Sequence, residues 1–182
     1  AETWEHVRHF MPWVDRAVVV VPPEQVAAFA ALEGVTAVDE CEVSGRTSAE
    51  LASLDHVRRN VSLRRALLCA DGVAADPIDD VFLLSDDDYR PMKPIERSFF
   101  GDDDRDVGFH CHELVTWPGH STPFDEAQHV TGQVLSYLGA PRRAYGSHLP
   151  QIMRLELWRD AFALWAELRD DDMVCEWAWY FN

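Results

Sequence analysis

Short apolar runs alternate with longer stretches of helical texture along this chain of 182 residues. Apolar or β-branched runs with the length of a buried strand occupy residues 17–21, 35–38 and 81–84. Apolar side chains recur every three or four positions, as in helices, in six stretches: 2–13, 23–32, 48–70, 124–138, 150–168 and 172–181. Polar loops are predicted at 41–47 and 91–106, and mixed strand and loop at 107–116. Because strands alternate with helices, we predict an α/β fold with a mostly parallel sheet.

The third apolar run ends abruptly in acidic residues. Residues 81–84 are followed by Ser85 and then by Asp86, Asp87 and Asp88. Side chains just past the carboxyl end of a strand line the crevice in which open α/β sheets bind ligands. Neighbouring carboxylates repel one another unless a cation or hydrogen-bond donors compensate. If the extended geometry persists, Asp86 and Asp88 share a face, which suits a hard divalent cation; the alternative is a solvated acidic turn.

Length and composition restrict the class of protein. The length favours one domain, and 47% hydrophobic residues are typical of a globular chain. A net charge of −16 excludes a broad basic surface for nucleic acid and argues against docking on an anionic membrane. No stretch has the length and apolar character of a membrane span, and no signal peptide is visible. The four cysteines form no paired motif, so we predict free thiols and a cytoplasmic protein.

The strand-tip acids, with the helix before them, resemble the A-type fold of nucleotide-sugar glycosyltransferases. That family has a Rossmann-like sheet with an Asp-x-Asp motif at the end of a central strand, where Ser85 to Asp88 stand here. Its preceding helix carries Arg and Asn toward the nucleotide sugar, as residues 56–68 do here. The resemblance implies one catalytic domain over 1–182, with a nucleotide-sugar half at about 1–90 and an acceptor half at about 107–182. Because such folds usually open on a strand, we expect a first strand upstream of Ala1.

Three later segments narrow the resemblance to the Stealth group of hexose-1-phosphate transferases. That group carries an Asn-Asp-Asp block, a His-x-Pro block and an acidic-Met-aromatic block in this order. The matching segments here, with Ser85 in place of the Asn, are Ser85-Asp86-Asp87, His148-Leu149-Pro150 and Asp171-Asp172-Met173 followed by Glu176-Trp177. Thr116-Trp117-Pro118 lies between the first two segments and also fits the group.

The resemblance implies transfer from a nucleotide-activated sugar to a hydroxyl of a saccharide or other small acceptor. The metal would be Mn²⁺ or Mg²⁺, held by Asp86, Asp88 and His148, and Asp87 would assist at the donor diphosphate. A surface histidine or a helix cap is the alternative for His148. A zinc pair of His110 and His112, alternating across a strand, lacks further recognisable ligands.

The predicted helix 48–70 supplies the basic candidates for the donor site. Arg58, Asn60 and Arg64 would contact the nucleotide sugar, since Arg binds phosphate through two parallel hydrogen bonds. Asn60 and Arg64 are four positions apart and share a helix face. The alternative is a solvated basic face.

The carboxyl-terminal acids supply the candidate bases. Asp172 and Glu176, four apart in a predicted helix, would converge on one face near aromatic residues. Either acid can take the proton from an acceptor hydroxyl, and the match to the acidic-Met block favours Asp172. A charged helix start is the alternative. Transfer of the sugar phosphate itself, and a non-catalytic binding module derived from a transferase, stay open as functions.

Overall fold

The computed structural model describes residues 2–69, 78–86, 88–102, 105–114, 121–145 and 149–182. Eight α-helices and six β-strands lie in these ranges, none of the helices long and apolar enough to cross a bilayer. The helices are α1 (Glu2–Phe10), α2 (Val26–Ala30), α3 (Glu40–Ser44), α4 (Ser48–Ala52), α5 (His56–Cys69), α6 (Pro123–Tyr137), α7 (Leu155–Leu168) and α8 (Glu176–Phe181). The strands are β1 (Ala17–Val21), β2 (Val35–Asp39), β3 (Val81–Leu84), β4 (His112–Glu113), β5 (Arg143–Ala144) and β6 (Gln151–Arg154), with short 3-10 turns at Pro23–Gln25 and Arg97–Phe100.

The described strands form three two-stranded sheets, so the predicted mixed α/β class is confirmed. β1 and β2 run parallel, with Ala17 opposite Val35. The prediction of a mostly parallel sheet is wrong for the other two pairs, because β3 is antiparallel to β6 and β4 is antiparallel to β5. Strand β6 was not predicted, because its four residues lie inside a longer stretch of helical periodicity.

The other predictions that the structure corrects concern where helices begin and end. The predicted loop 41–47 contains α3, which Asp39 caps by accepting a hydrogen bond from the Cys41 amide. The predicted helix 48–70 is two helices, α4 and α5, separated by residues 53–55. Asp55 caps the start of α5, because its Oδ1 accepts a hydrogen bond from the Arg58 amide at 3.0 Å. The predicted helix 172–181 begins only at Glu176.

Strand β3 is covered on both faces, and this burial fixes where its acidic tip points. Phe82 and its partner Met153 pack against the main core, which also contains residues of α5, α6, α7 and α8. Leu83 and its partner Ile152 pack on the opposite side, with Met11. This alternation is the period of two expected for a strand covered on both faces. Leu84 also packs against the main core, and Asp86, two residues further on, contacts Arg64 of α5.

Candidate functional site

Arg64 of α5 joins the strand tip to the start of α8. Its Nη2 donates a hydrogen bond to Oδ1 of Asp86 at 3.1 Å, and its Nη1 donates to Oε1 of Glu176. The guanidinium carbon also lies 5.6 Å from the ring centroid of Trp177, within cation–π range. Asp86 and Glu176 are 22 and 112 residues from Arg64 in the sequence. We call this group of three charged side chains the Arg64 centre.

The Arg64 centre is largely shielded from water. The exposed fraction of the side chain is 7% for Glu176, 20% for Arg64 and 30% for Asp86. Burial alone would lower the pKa of Arg64, but the Glu176 and Asp86 carboxylates more than offset it and hold the pKa above its ordinary value. One guanidinium therefore faces two carboxylates, and the centre favours an additional cation over an additional anion.

Glu176 owes its position to the packing of α8 against α6. The Cys175 amide, just before the helix, donates to Oγ1 of the buried Thr131 at 2.8 Å. Burial raises the pKa of the Cys175 thiol to about 12, so this thiol stays neutral beside the acid. Glu176 is the first residue of α8, where the helix dipole also favours a carboxylate.

The acids past β3 do not continue the strand. The Tyr89 amide lies 3.5 Å from the carbonyl oxygen of Asp86, so the chain turns after Asp86. The expectation that Asp86 and Asp88 share the face of an extended segment is therefore wrong. Asp88 is exposed to solvent, whereas Asp86 is half-buried against Arg64. Asp87 lies outside the described residues.

Arg65, the next residue of α5, binds the other predicted catalytic acid. Its Nη1 donates to Oδ1 of Asp172 at 2.6 Å. Asp172 precedes α8, so it does not share a helix face with Glu176, and the predicted convergence of these two acids is wrong. The pair lies in an open depression of about 410 Å³, whose lining residues are Arg46, Ser62, Arg65, Ala66, Cys69 and Asp172. We call it the Arg65 depression.

The neighbouring acid, Asp171, has a separate role. Its Oδ2 accepts from Arg169 at 2.6 Å and its Oδ1 accepts from the Met173 amide at 3.2 Å. The bond from Arg169 lowers the pKa of Asp171, and the Met173 amide adds to this against partial burial. These contacts shape the turn that presents Asp172.

Two of the predicted donor-site residues lie apart from the Arg64 centre. Arg58 pairs with Asp55 at 2.5 Å in the first turn of α5, and this hydrogen bond raises the pKa of Arg58. Asn60 is exposed, whereas Arg64 on the same predicted face is largely buried. Of these three side chains, Arg64 is the one that contacts the strand tip in the described part of the chain.

Some predicted site residues lie outside the described residues, and the predicted pair of His110 and His112 has no further metal ligand among the described residues. His148 and Thr116-Trp117-Pro118 are outside the described residues. His112 is in β4, with its Nδ1 3.1 Å from Sγ of Cys111, and the ring of His110 packs against Tyr145 instead. Within the described residues, no group of three or more His, Cys, Asp or Glu side chains is arranged to hold a metal ion.

The described acids have the chemistry that Mg²⁺ or Mn²⁺ prefers, but the turn after Asp86 does not hold Asp86 and Asp88 on the face of one extended segment. Asp86 and Asp88 offer carboxylate oxygens, which such hard cations prefer, and Mg²⁺ is commonly held by one or two carboxylates together with substrate phosphates. The net negative charge of the Arg64 centre also favours a cation there.

All four cysteines are free thiols, as predicted.

Sequence reasoning missed the Arg65 depression. Four of its residues, Ser62, Arg65, Ala66 and Cys69, follow the spacing of a single helix face in α5. The polar side chains of Ser62, Arg65 and Cys69 on one helix face could have been recognised from the sequence as a candidate site. Arg46 and Asp172 come from distant segments, and no local pattern links them to α5.

The chain matches no protein family, and neither a curated protein nor a solved structure similar to it was found.

Proposed function

We propose that this protein is a metal-dependent glycosyltransferase, which moves a sugar from a nucleotide-activated donor to a hydroxyl of a saccharide or other small acceptor. The observation that carries the proposal is Arg64, which binds an acid of the strand tip and an acid of the carboxyl-terminal block at once. Those two segments belong to the two blocks whose order resembles Stealth transferases. The finer fold, a Rossmann-like A-type glycosyltransferase domain, is part of this proposal, and so is the cytoplasmic location, which the free thiols support.

In this proposal the strand tip holds the donor. Asp86 and Asp88 would bind Mn²⁺ or Mg²⁺, which supplies charge neutralisation at the donor diphosphate. Arg64 keeps Asp86 oriented through the 3.1 Å hydrogen bond and adds a fixed positive charge beside it. Glu176 is buried and bonded to Arg64, so its role is to position Arg64.

Asp172 is the better candidate for the general base. It borders an open depression that an acceptor can enter, whereas Glu176 is enclosed. Arg65 engages Oδ1 of Asp172 and fixes the direction of its carboxylate. Asp172 would take the proton of the acceptor hydroxyl as the oxygen bonds to C1 of the sugar. The bond from C1 to the diphosphate oxygen breaks, and its electron pair leaves with the nucleoside diphosphate.

Two other functions remain in view. A sugar-1-phosphate transferase would use the same donor but break the bridge between the two phosphates. A non-catalytic binding module is the other alternative, because a purely structural ion-pair network would also engage Arg64 with two acids.

Calorimetry with uridine and guanosine diphosphates, with and without Mn²⁺, tests the proposal. We expect Mn²⁺-dependent binding of one nucleotide and its loss in Asp88→Ala. Because Asp88 is exposed, that variant should unfold at the same temperature or slightly higher, as like-charge crowding is relieved. Exposed Asp102→Ala, in a second acidic stretch, is the matched control and should bind normally. A folded protein that binds neither nucleotide would overturn the transferase proposal.

Labelled products separate the two transfer reactions. With a donor labelled in its β-phosphate, glycosyl transfer leaves the label in the released nucleotide. Sugar-phosphate transfer puts the label into the acceptor product. Label in the acceptor product would replace the proposed reaction by the alternative.

A further inference from the structure

The Arg65 depression carries more positive than negative charge, in a chain whose net charge is −16. Two guanidinium side chains, Arg46 and Arg65, line it together with one carboxylate, Asp172. Cys69 adds no negative charge, because burial raises the pKa of its thiol. A local excess of arginine on an acidic protein is a specific feature, since Arg binds phosphate and carboxylate groups through paired hydrogen bonds.

The two arginines differ in how far they are engaged. Arg65 already donates to Asp172 at 2.6 Å. Arg46 makes no ion pair within the described part of the chain, although its charge, after the hydrogen bonds from Thr47, helps to lower the pKa of Glu50. Its backbone amide donates to Oγ of Ser44 at 3.3 Å. Arg46 stands between α3 and α4, half-exposed at the border of the depression. Its guanidinium is therefore the group most readily offered to an anionic ligand.

The depression also has the size of a small-molecule site. Its volume of about 410 Å³ is within the ~300–1,000 Å³ range of such sites, and it is open enough for a ligand to enter. Ser62 adds a hydroxyl that can donate to or accept from a sugar.

We infer that the Arg65 depression is the acceptor subsite, and that the acceptor is a sugar bearing a phosphate or a carboxylate. Arg46 and Arg65 would bind the anionic group, and the acceptor hydroxyl would then lie at Asp172. The acceptor assignment rests on the proposed transferase function, whereas the anion site rests on the depression alone. The donor diphosphate would bind separately, on the side of α5 that carries Arg64.

Ligand binding without metal or nucleotide tests the anion site. The probes are glucose 1-phosphate, glucuronate and uncharged glucose, titrated calorimetrically into the whole chain. We expect one of the anionic sugars to bind and glucose not to bind, and the stronger anionic probe identifies phosphate or carboxylate as the recognised group. Binding of neither anionic sugar, or equal binding of glucose, would overturn the inference.

Substitutions test whether the anionic sugar binds in the Arg65 depression. Arg46→Gln should weaken the binding of the anionic sugar about tenfold or more, because a charge-assisted hydrogen bond is lost, and Arg46→Lys should weaken it less. Arg8→Gln removes an equal charge from the exposed Arg8–Glu33 pair and should have no effect. Equal effects of Arg46→Gln and Arg8→Gln would show that the anion does not bind in the depression and would overturn the inference.

A competition experiment separates this inference from the proposed function. The anionic sugar and the nucleoside diphosphate with Mn²⁺ should bind together. Displacement of the anionic sugar by the nucleotide would assign the depression to the donor and overturn the acceptor role. If the anionic sugar binds through Arg46 but the protein binds no nucleotide, the acceptor role and the transferase proposal are both overturned. The anion site would then still stand.

Discussion

Arg64 and Arg65 are neighbours in α5, and each binds a carboxylate from the last eleven residues of the chain, but the two carboxylates differ in exposure: 7% for Glu176 and 23% for Asp172. Arg64 lies between two acids and against Trp177, and the Glu176 side chain is 7% exposed. Among the described residues Arg65 pairs with one carboxylate, Asp172, at the edge of an open depression, and its guanidinium carbon lies 5.8 Å from the ring centroid of Phe162. The comparison indicates that the closed pair fixes the geometry of the site, whereas the open pair is placed to meet a ligand.

Asp172→Asn gives the largest expected effect on the open side. The change keeps the shape of the side chain but removes the charge that accepts a proton. If Asp172 is the general base, turnover of the nucleotide sugar should fall by roughly 10²–10⁴. The measurement is steady-state release of the nucleoside diphosphate, with the unfolding midpoint as the check on folding.

The control for that variant is Asp170→Asn. Asp170 is a nearby exposed acid that does not line the Arg65 depression, and, unlike Asp171, it makes no contact that shapes the turn presenting Asp172 among the described residues. Turnover by this control should change far less. Full turnover by Asp172→Asn would remove Asp172 from the chemistry.

Arg64→Met gives the largest expected effect on stability. It leaves Glu176 buried without its partner, and breaking a buried ion pair in this way costs about 3–5 kcal/mol. The side chains of the Arg65–Asp172 pair are 29% and 23% exposed, so Arg65→Met should cost clearly less than Arg64→Met. Urea denaturation of both variants measures the difference in free energy of unfolding.

A double variant sharpens this test. Arg64→Met with Glu176→Met removes both partners of the buried pair, so much of the lost stability should return. The return is incomplete, because Asp86 also loses its contact with Arg64. Equal losses for Arg64→Met and Arg65→Met would contradict the distinction between a closed and an open pair.

The smallest expected effect on stability concerns Asp55, the residue just before α5. Burial opposes its charged form, but the hydrogen bonds from Arg58 more than offset this, so the pKa of Asp55 is below the ordinary 3.8. A depressed pKa stabilises the fold above the ordinary pKa, and this contribution disappears as the pH falls through the lowered value.

The measurement for Asp55 is urea denaturation below about pH 4. The contribution is at most about 1 kcal/mol, because Arg58 is 40% exposed. The variant Asp55→Asn should show a smaller loss of stability with acid than the natural protein does. Identical acid profiles would show that Asp55 makes no net contribution.

Local sequence patterns predicted the parts of the site that a local pattern can specify. The apolar run of β3 and the acids after it are contiguous, and the strand is present over Val81–Leu84 as expected. Arg64 was identified because it stands on a helix before that strand. The sequence could not show that Glu176 would be its partner, because a contact across 112 residues depends on tertiary packing.

The errors arose where two patterns overlap. Ile152 and Met153 continue the apolar periodicity of α7, so β6 was assigned to the helix. The break between α4 and α5 depends on the cap formed by Asp55, and no Gly or Pro marks it. The link between Arg65 and Asp172 joins α5 to a turn before α8, which no periodicity connects.

The most direct test of the division between the two sides of α5 compares Asp86→Asn with Asp172→Asn in one calorimetric experiment. Both variants are titrated with the nucleoside diphosphate in the presence of Mn²⁺. We expect Asp86→Asn to lose binding, because the proposed donor site is at the strand tip, and Asp172→Asn to bind the nucleotide as the natural protein does. Normal binding by Asp86→Asn, or loss of binding by Asp172→Asn alone, would contradict this expectation.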